Sequence, residues 1–347
     1  MTTRRTGRAG DVTRKLGCRM RDGADMPSKP ERVPLMCLAK FDILQRWGVI
    51  VVLAAGLAAS AAENHDLLRT EPSGAPWDAT APVNNPKVIY GADDRIDVYE
   101  ETDADRLAWA AATCAVVYAS DLTATAEDMY ALSVYAYMVS GKPPCDGEPF
   151  ADQPTAAFCT AFMVGDNLVA TAGHCVSAYD LPDVRFLFGF EMTDPATPIL
   201  YFHKDQIYTG EEILSRVGIG DDDHAVVRLD RTIVAPGARA LPLRRTGSVD
   251  VGENVGVIGH PYGLPKKIAF GEATAVRSNP SASYFVANLD TYGGNSGSPV
   301  FNAHTGLVEG ILVRGATDFV IESDCFRSNV YTDGGGLGED VTRSVVF

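Results

Sequence analysis

Three short segments carry residue types that could together perform nucleophilic chemistry. TAGHC (171–175) holds His174, DHAVVRLD (223–230) opens on Asp223, and GGNSGSPV (293–300) surrounds Ser296. A serine hydroxyl is a poor nucleophile unless a base removes its proton during attack. A near-neutral imidazole can take that proton and hand it to a leaving amine. A buried carboxylate can fix the imidazole tautomer and stabilise the imidazolium. Around Ser296, the residues Gly293, Gly294, Gly297 and the small Ser298 let the backbone come close to a substrate. The amides of Gly294 and Ser296 are then candidates to face a developing oxyanion, a contribution of about 3 kcal/mol for one donor.

Among the three consecutive acids Asp221, Asp222 and Asp223, the last is the choice: it stands two residues before the small Ala225 and opens an apolar strand. His224 then falls on the other face of that strand. Plainer readings compete with each segment. GNSGSP can be a turn, but the His174–Cys175 adjacency has no second Cys or His at a zinc spacing. The acids lack the alternation of a calcium loop. No metal and no cofactor is expected. Nor does GNSGS form the G-x-S-x-G elbow of α/β-hydrolases, in which the serine also precedes its acid and histidine.

The elements that must position these residues are short. AVVY, AFCTAFMV, NLVATA, VRFLFGF, AVVRLD, NVGVIGH, YFVANLD, SPVFN and VEGILVRG are apolar, often β-branched, and separated by turn residues. They read as strands, and many short strands with Gly/Asn turns point to sandwiches or barrels. Residues 103–112 (DADRLAWAAA) predict a short helix, while residues 121–141 fit helix or loop. Residues 63–87 hold four Pro and little periodicity, as in a solvated linker or propeptide.

Charge is unevenly distributed. The chain has a net charge of −15, yet residues 1–61 contain 11 Lys+Arg and 5 Asp+Glu. The acidic remainder disfavours nucleic acid and anionic membrane and attracts cationic substrates. Residues 48–62 (GVIVVLAAGLAASAA) follow Arg46 and end in small residues. That run is short for a bilayer span and fits a signal-peptide core with an Ala-x-Ala type cleavage site. The long polar lead before it suggests Met36 as an alternative start; an uncleaved anchor is the competing reading. Of seven Cys, Cys18 and Cys37 lie in this leader, leaving five. Export permits disulfides. Cys159 and Cys175 flank a hairpin and are the expected pair; Cys145 with Cys325 is a further candidate, and the pairing among Cys114, Cys145 and Cys325 stays open.

With TAGHC, D-x-A followed by two apolar residues, and GNSGSP in this order, the chain resembles the chymotrypsin-like serine proteases. VIYGADDR (88–95), IGHPYGLP (258–265) and Asn295 resemble, more narrowly, the glutamyl-endopeptidase-like, largely bacterial branch. The resemblance implies an all-β fold of two antiparallel six-stranded β-barrels with the active site in the cleft between them. His174 and Asp223 would come from the first barrel and Ser296 from the second. The implied domain is 88–347, with barrels of about 88–235 and 236–347, after a leader and signal peptide (1–62) and the linker (63–87). The 16-residue offset from Cys159 to Cys175 matches the disulfide that the family keeps beside its histidine.

Two departures bear on activation and specificity. Trypsin-like enzymes place an Asp before the nucleophile to pair with a freed N-terminus; Asn295 cannot form that ion pair. The Lys87–Val88 bond still looks cleavable, and N-terminal sequencing that finds Glu63 in the active form would dismiss it as the maturation site. Asp290, six residues before Ser296, stands where trypsin-like members bind Lys or Arg at P1. On ILVRG (311–315), Leu312 and Val313 occupy the neighbourhood of the histidine used by glutamyl endopeptidases, next to Arg314 and Gly315. Substrate binding is assigned to Asp290, Arg314 and Gly315, with Lys/Arg narrowly preferred over Glu. His260 and the Lys266–Lys267 pair belong to a turn and read as structural and solvated. The expectation is a secreted, monomeric serine endopeptidase acting on proteins or peptides, without nucleic acid or stable membrane association after signal cleavage. The alternative is a catalytically silent protease fold used as a binding module.

Overall fold

A computed structural model of the chain describes residues 88–347 apart from Asp221. The leader, the signal peptide, the linker, Cys18 and Cys37 lie outside the described residues. Among those described, no helix is long and apolar enough to cross a membrane.

The first half closes into a six-stranded antiparallel barrel. Its strands run, in order around the ring, Ile207–Val217, His224–Leu229, Leu168–Thr171, Cys159–Gly165, Thr113–Tyr118 and Val184–Phe188. Pairing of Ile207 with Leu187 closes it. Phe162, Phe186, Phe188 and Tyr208 fill its interior. TCAVVY (113–118) is apolar without alternation because both of its faces are covered. Cys114 and Val116 face the barrel core. Ala115 and Val117 pack against Leu132, Phe190 and Phe202. Leu132 belongs to a hairpin, Leu122–Ala126 with Met129–Leu132, in the stretch where sequence left helix or loop open.

The second half is an eight-stranded sheet in the order Val276–Ser278, Tyr284–Ala287, Glu339–Arg343, Val308–Arg314, Pro299–Asn302, Val255–Gly259, Lys267–Ala269 and Arg95–Asp97. Val255, Val257, Phe285, Leu289, Val300, Leu312 and Val341 form its core. The last strand in that order, Arg95–Asp97, precedes the whole first barrel in sequence. It nonetheless pairs with Lys267–Ala269, so residues 88–97 belong to the second half and not to the first. Ile89–Tyr90 likewise pairs, in parallel, with Val330–Tyr331.

Helix Ala104–Ala111 links the two halves. The Asp103 carboxylate caps it by accepting the Asp105 and Arg106 amides at 2.9 and 3.1 Å, a cap worth about 1 kcal/mol. From its last turn Trp109 stacks on Phe301 of the second sheet with ring centroids 4.8 Å apart.

His260, Lys266 and Lys267 are buried, not solvated. Lys266 donates to the Ala110 carbonyl at 2.7 Å. Lys267 donates to Asp97 Oδ1, Gln153 Oε1 and the Pro265 carbonyl at 2.5, 2.6 and 3.0 Å. Burial pushes the Lys267 ammonium down to about 8. Asp97 and Gln153 reach Lys267 from two other chain segments, and pattern reading along one segment does not reveal such partners.

Candidate active site

His174 sits in a 3-10 turn, Gly173–Cys175, that follows the strand Leu168–Thr171. The register of Ala225 against Thr171 carries Asp223 alongside this turn. A Cβ at Gly173 would lie 1.8 Å from the Val217 carbonyl oxygen and 2.6 Å from that of His224, so only glycine lets the turn pack this closely. His174 Nδ1 lies 2.7 Å from Asp223 Oδ2, and the His174 amide donates to Asp223 Oδ1 at 3.2 Å. Asp223 is completely buried. One carboxylate therefore holds both the ring and the backbone of the histidine. The His224 ring is engaged elsewhere, with Ser215 Oγ at 3.0 Å and the Asp222 carbonyl at 2.6 Å.

A disulfide joins Cys159 to Cys175 with Cα atoms 6.1 Å apart, and another joins Cys145 to Cys325. Cys114 is free and buried. The His174 ring and the sulfurs of Cys159 and Cys175 lie within 4.8 Å of one another. Because those sulfurs are bonded to each other, they present no thiolate to a metal.

The Ser296 loop packs directly on the first barrel. Ser296 accepts the Thr160 amide at 2.8 Å, and its carbonyl oxygen stands 3.5 Å from Cys175 Sγ. Gly297 has φ +93°, and a Cβ there would meet the Thr160 carbonyl oxygen at 1.9 Å and Thr171 Oγ1 at 2.3 Å. Gly294, at φ +90°, backs onto the His260 carbonyl and the Gly263 amide. The Thr160 hydroxyl donates to the Gly294 carbonyl at 2.9 Å, fixing that peptide's orientation. Among the described residues, neither the Gly294 nor the Ser296 amide has a protein acceptor. No hydrogen bond joins Ser296 Oγ to the His174 ring there either, as is common without substrate.

The residues assigned to specificity are differently placed. Asp290 is almost fully buried, and its two oxygens accept the Tyr90 and Asp94 amides, each at 2.8 Å. It faces the N-terminal segment. Burial pushes its carboxyl up to about 7. Arg314 forms an ion pair with Asp340 at 3.1 Å and donates to the Gly220 carbonyl. Gly315 is tight: a Cβ there would lie 1.8 Å from Glu339 Oε2.

Sequence reasoning missed two acids. Glu339 reaches between the segments 290–294 and 314–318. It accepts Thr291 Oγ1 at 3.0 Å and the Ala316 amide at 3.4 Å. Burial, then the nearby Asp318, hold its carboxyl well above the usual range. Asp318 accepts the Gly293 amide at 2.6 Å, and desolvation raises it to about 7. The one visible signal was the adjacent acid pair Glu339–Asp340 opening the strand Glu339–Arg343.

Residues 159–311 match the family model described as a trypsin-like peptidase domain. Among solved structures, a Glu endopeptidase in complex with MPD is similar at 14% identity over 74% of this chain and 93% of that one, with a TM-score of 0.42. A serine endoprotease from Yersinia pestis is similar at 12% identity over 71% of this chain and 65% of that one, with a TM-score of 0.40.

Proposed function

We propose that this protein, whose residues 159–311 match a trypsin-like peptidase domain, is a secreted serine endopeptidase of the chymotrypsin-like kind working through an acyl-enzyme. The observation that carries the reading is the pairing of His174 with a buried Asp223 beside a loop whose Gly294 and Ser296 amides have no protein acceptor. Ser296 Oγ attacks the scissile carbonyl carbon while His174 Nε2 takes its proton. The carbonyl oxygen becomes an oxyanion that the two amides stabilise. Asp223 keeps the Nδ1 proton in place and offsets the imidazolium charge. The imidazolium then protonates the leaving amine, and a water activated by the same base hydrolyses the ester, returning the proton to Ser296.

A preference for Lys or Arg at P1 is retained on different ground from that first assigned. Asp290 accepts the two amides of the 88–95 segment, whereas Glu339 and Asp318 take their donors from Thr291, Ala316 and Gly293 on the segments beside Ser296, with no cation among those partners. Burying carboxyls there favours a cationic side chain, which would restore their charge. Secretion is supported by the signal-like run at 48–62 and by two disulfides among the described residues. The substrates are proteins or peptides and the protein acts as a monomer.

The test compares secreted wild type with Ser296→Ala on a peptide library randomised at P1. Cleavage by wild type alone, after Lys or Arg, is expected. Cleavage after Glu moves the specificity assignment to Arg314. Absence of any cleavage by wild type removes the peptidase reading and leaves the silent binding module.

A further inference from the structure

Of the three residues at the start of the nucleophile loop, one distant segment holds Asp290 and Tyr292 directly and Thr291 through Glu339. Asp290 accepts the Tyr90 and Asp94 amides, both at 2.8 Å. Thr291 donates to Glu339, which also accepts the Tyr90 hydroxyl at 3.4 Å. The Tyr292 hydroxyl accepts the Arg95 guanidinium at 2.7 Å, and that guanidinium lies 4.1 Å from the Tyr292 ring centroid. Tyr292 in turn accepts the Asn295 amide at 3.0 Å, one residue before the nucleophile.

The segment itself is firmly seated. Val88, Ile89 and Tyr90 are at most 2% exposed. Ile89 donates to the Asn329 carbonyl and Gly91 to that of Tyr331, at 2.6 and 2.8 Å. The Tyr90 hydroxyl accepts the Gly338 amide at 3.1 Å. Arg95 is oriented by a two-point pair with Asp93 at 2.8 and 2.7 Å. Each of these contacts uses an interior amide or a side chain, so none depends on a terminal amine. They serve a different purpose from the ion pair that Asn295 cannot make.

We infer that residues 88–95 act in cis as a brace for the active centre, with Asp290 and Arg95 as positioning residues that fix the loop presenting the Gly294 and Ser296 amides. Asp290 is then not a contact of the substrate. The inference rests on the reading of Ser296 as nucleophile. It changes what loss of Asp290 should do: a pocket floor governs which residue is cleaved, and a brace governs how fast every residue is cleaved. Loss of alignment at the oxyanion amides lowers kcat because their interaction strengthens only in the transition state.

The experiment uses the full chain as wild type, Asp290→Asn and Arg95→Lys. Three readouts are taken: kcat and KM across a P1 library, the labelling rate of Ser296 by a small uncharged fluorophosphonate, and hydrogen exchange of residues 290–297. For Asp290→Asn the expected result is a kcat at least tenfold lower for every cleaved P1, with KM within about threefold and the P1 ranking unchanged. Ser296 labelling slows by a similar factor. Exchange at 290–297 rises while Cys159–Gly165 stays protected. Arg95→Lys keeps the charge but loses the fork, and shifts all three readouts in the same direction by less. Selective loss of Lys/Arg cleavage in Asp290→Asn overturns the inference, because the carboxylate would then face substrate. Unchanged kcat and exchange in a folded variant overturn it as well. If Asp290→Asn does not fold, Arg95→Lys decides by the same criteria. If wild type cleaves nothing, the peptidase reading fails, and the exchange data alone then decide whether the segment braces the loop.

Discussion

The carbonyl oxygen of Ser296 lies 3.5 Å from Sγ of Cys175, the residue that follows His174. The loop bearing Ser296 therefore rests on the disulfide that anchors the His174 turn, and the two segments share one contact surface. Thr160, the residue after the other half-cystine, donates its amide to the same carbonyl at 2.8 Å.

Removing that disulfide should damage geometry as well as stability. Cys159→Ser/Cys175→Ser is expected to lose about 3 kcal/mol, the value for a loop of about 15 residues, and to lower kcat more than KM changes. Urea unfolding read beside steady-state kinetics checks both. A variant destabilised to that extent but with native kcat would separate the disulfide from the site.

Asp223→Asn keeps the shape of the side chain but can hold the imidazole in the wrong tautomer. Loss of about four orders of magnitude in kcat is expected for such a change, with Ser296 labelling slowed in parallel. A kcat within tenfold of wild type would displace Asp223 from its role.

Glu339→Gln tests the proposed preference for a basic P1 residue. The ratio of kcat/KM for an Arg substrate over its uncharged citrulline isostere should fall at least tenfold, about 1.4 kcal/mol. The neutral amide also removes a carboxyl buried without a cation, so Tm at pH 8 should hold or rise. Retention of the full ratio would leave the preference without its residue.

Asp290 predicts a direction for stability against pH. Its folded pKa is raised from 3.8 to about 7, so between those values the folded chain binds a proton that the unfolded chain has released. Stability from this group is present below about pH 4 and is lost as pH rises towards and through 7, by a few kcal/mol at most. Asp318 titrates in the same window and direction. Thermal unfolding of wild type and Asp290→Asn at pH 5 and pH 8 should give the wild type the steeper decline. Parallel declines would contradict the raised value.

What the sequence made legible was local. His174, Asp223 and Ser296 each come with neighbours that define a turn or a strand end, and the helix at Ala104–Ala111 is announced by Asp103. The illegible parts depend on partners far along the chain. Lys267 reads as solvated until Asp97 and Gln153 arrive from two other segments. Asp290 reads as a pocket acid until the Tyr90 and Asp94 amides cover it. Glu339 looks unremarkable in a strand, because nothing near it in sequence says that Thr291 and Ala316 will lie on either side. Hairpin Leu122–Ala126 with Met129–Leu132 was ambiguous because its alternation is weak and tertiary cover decides it.

Arg95–Asp97 completes the second sheet and Ile89–Tyr90 pairs with Val330–Tyr331, although the entire first barrel is threaded between them and their partners. The Gly338 amide meets the Tyr90 hydroxyl across a separation of 248 residues. Contacts of such high order form late, since loop closure must come first. On a chain made from its N-terminus, the first barrel can fold while residues 88–97 still wait for strands not yet synthesised. The loop bearing Ser296 is thus held from both sides only once Gly338 and Glu339 have also emerged, long after the first barrel.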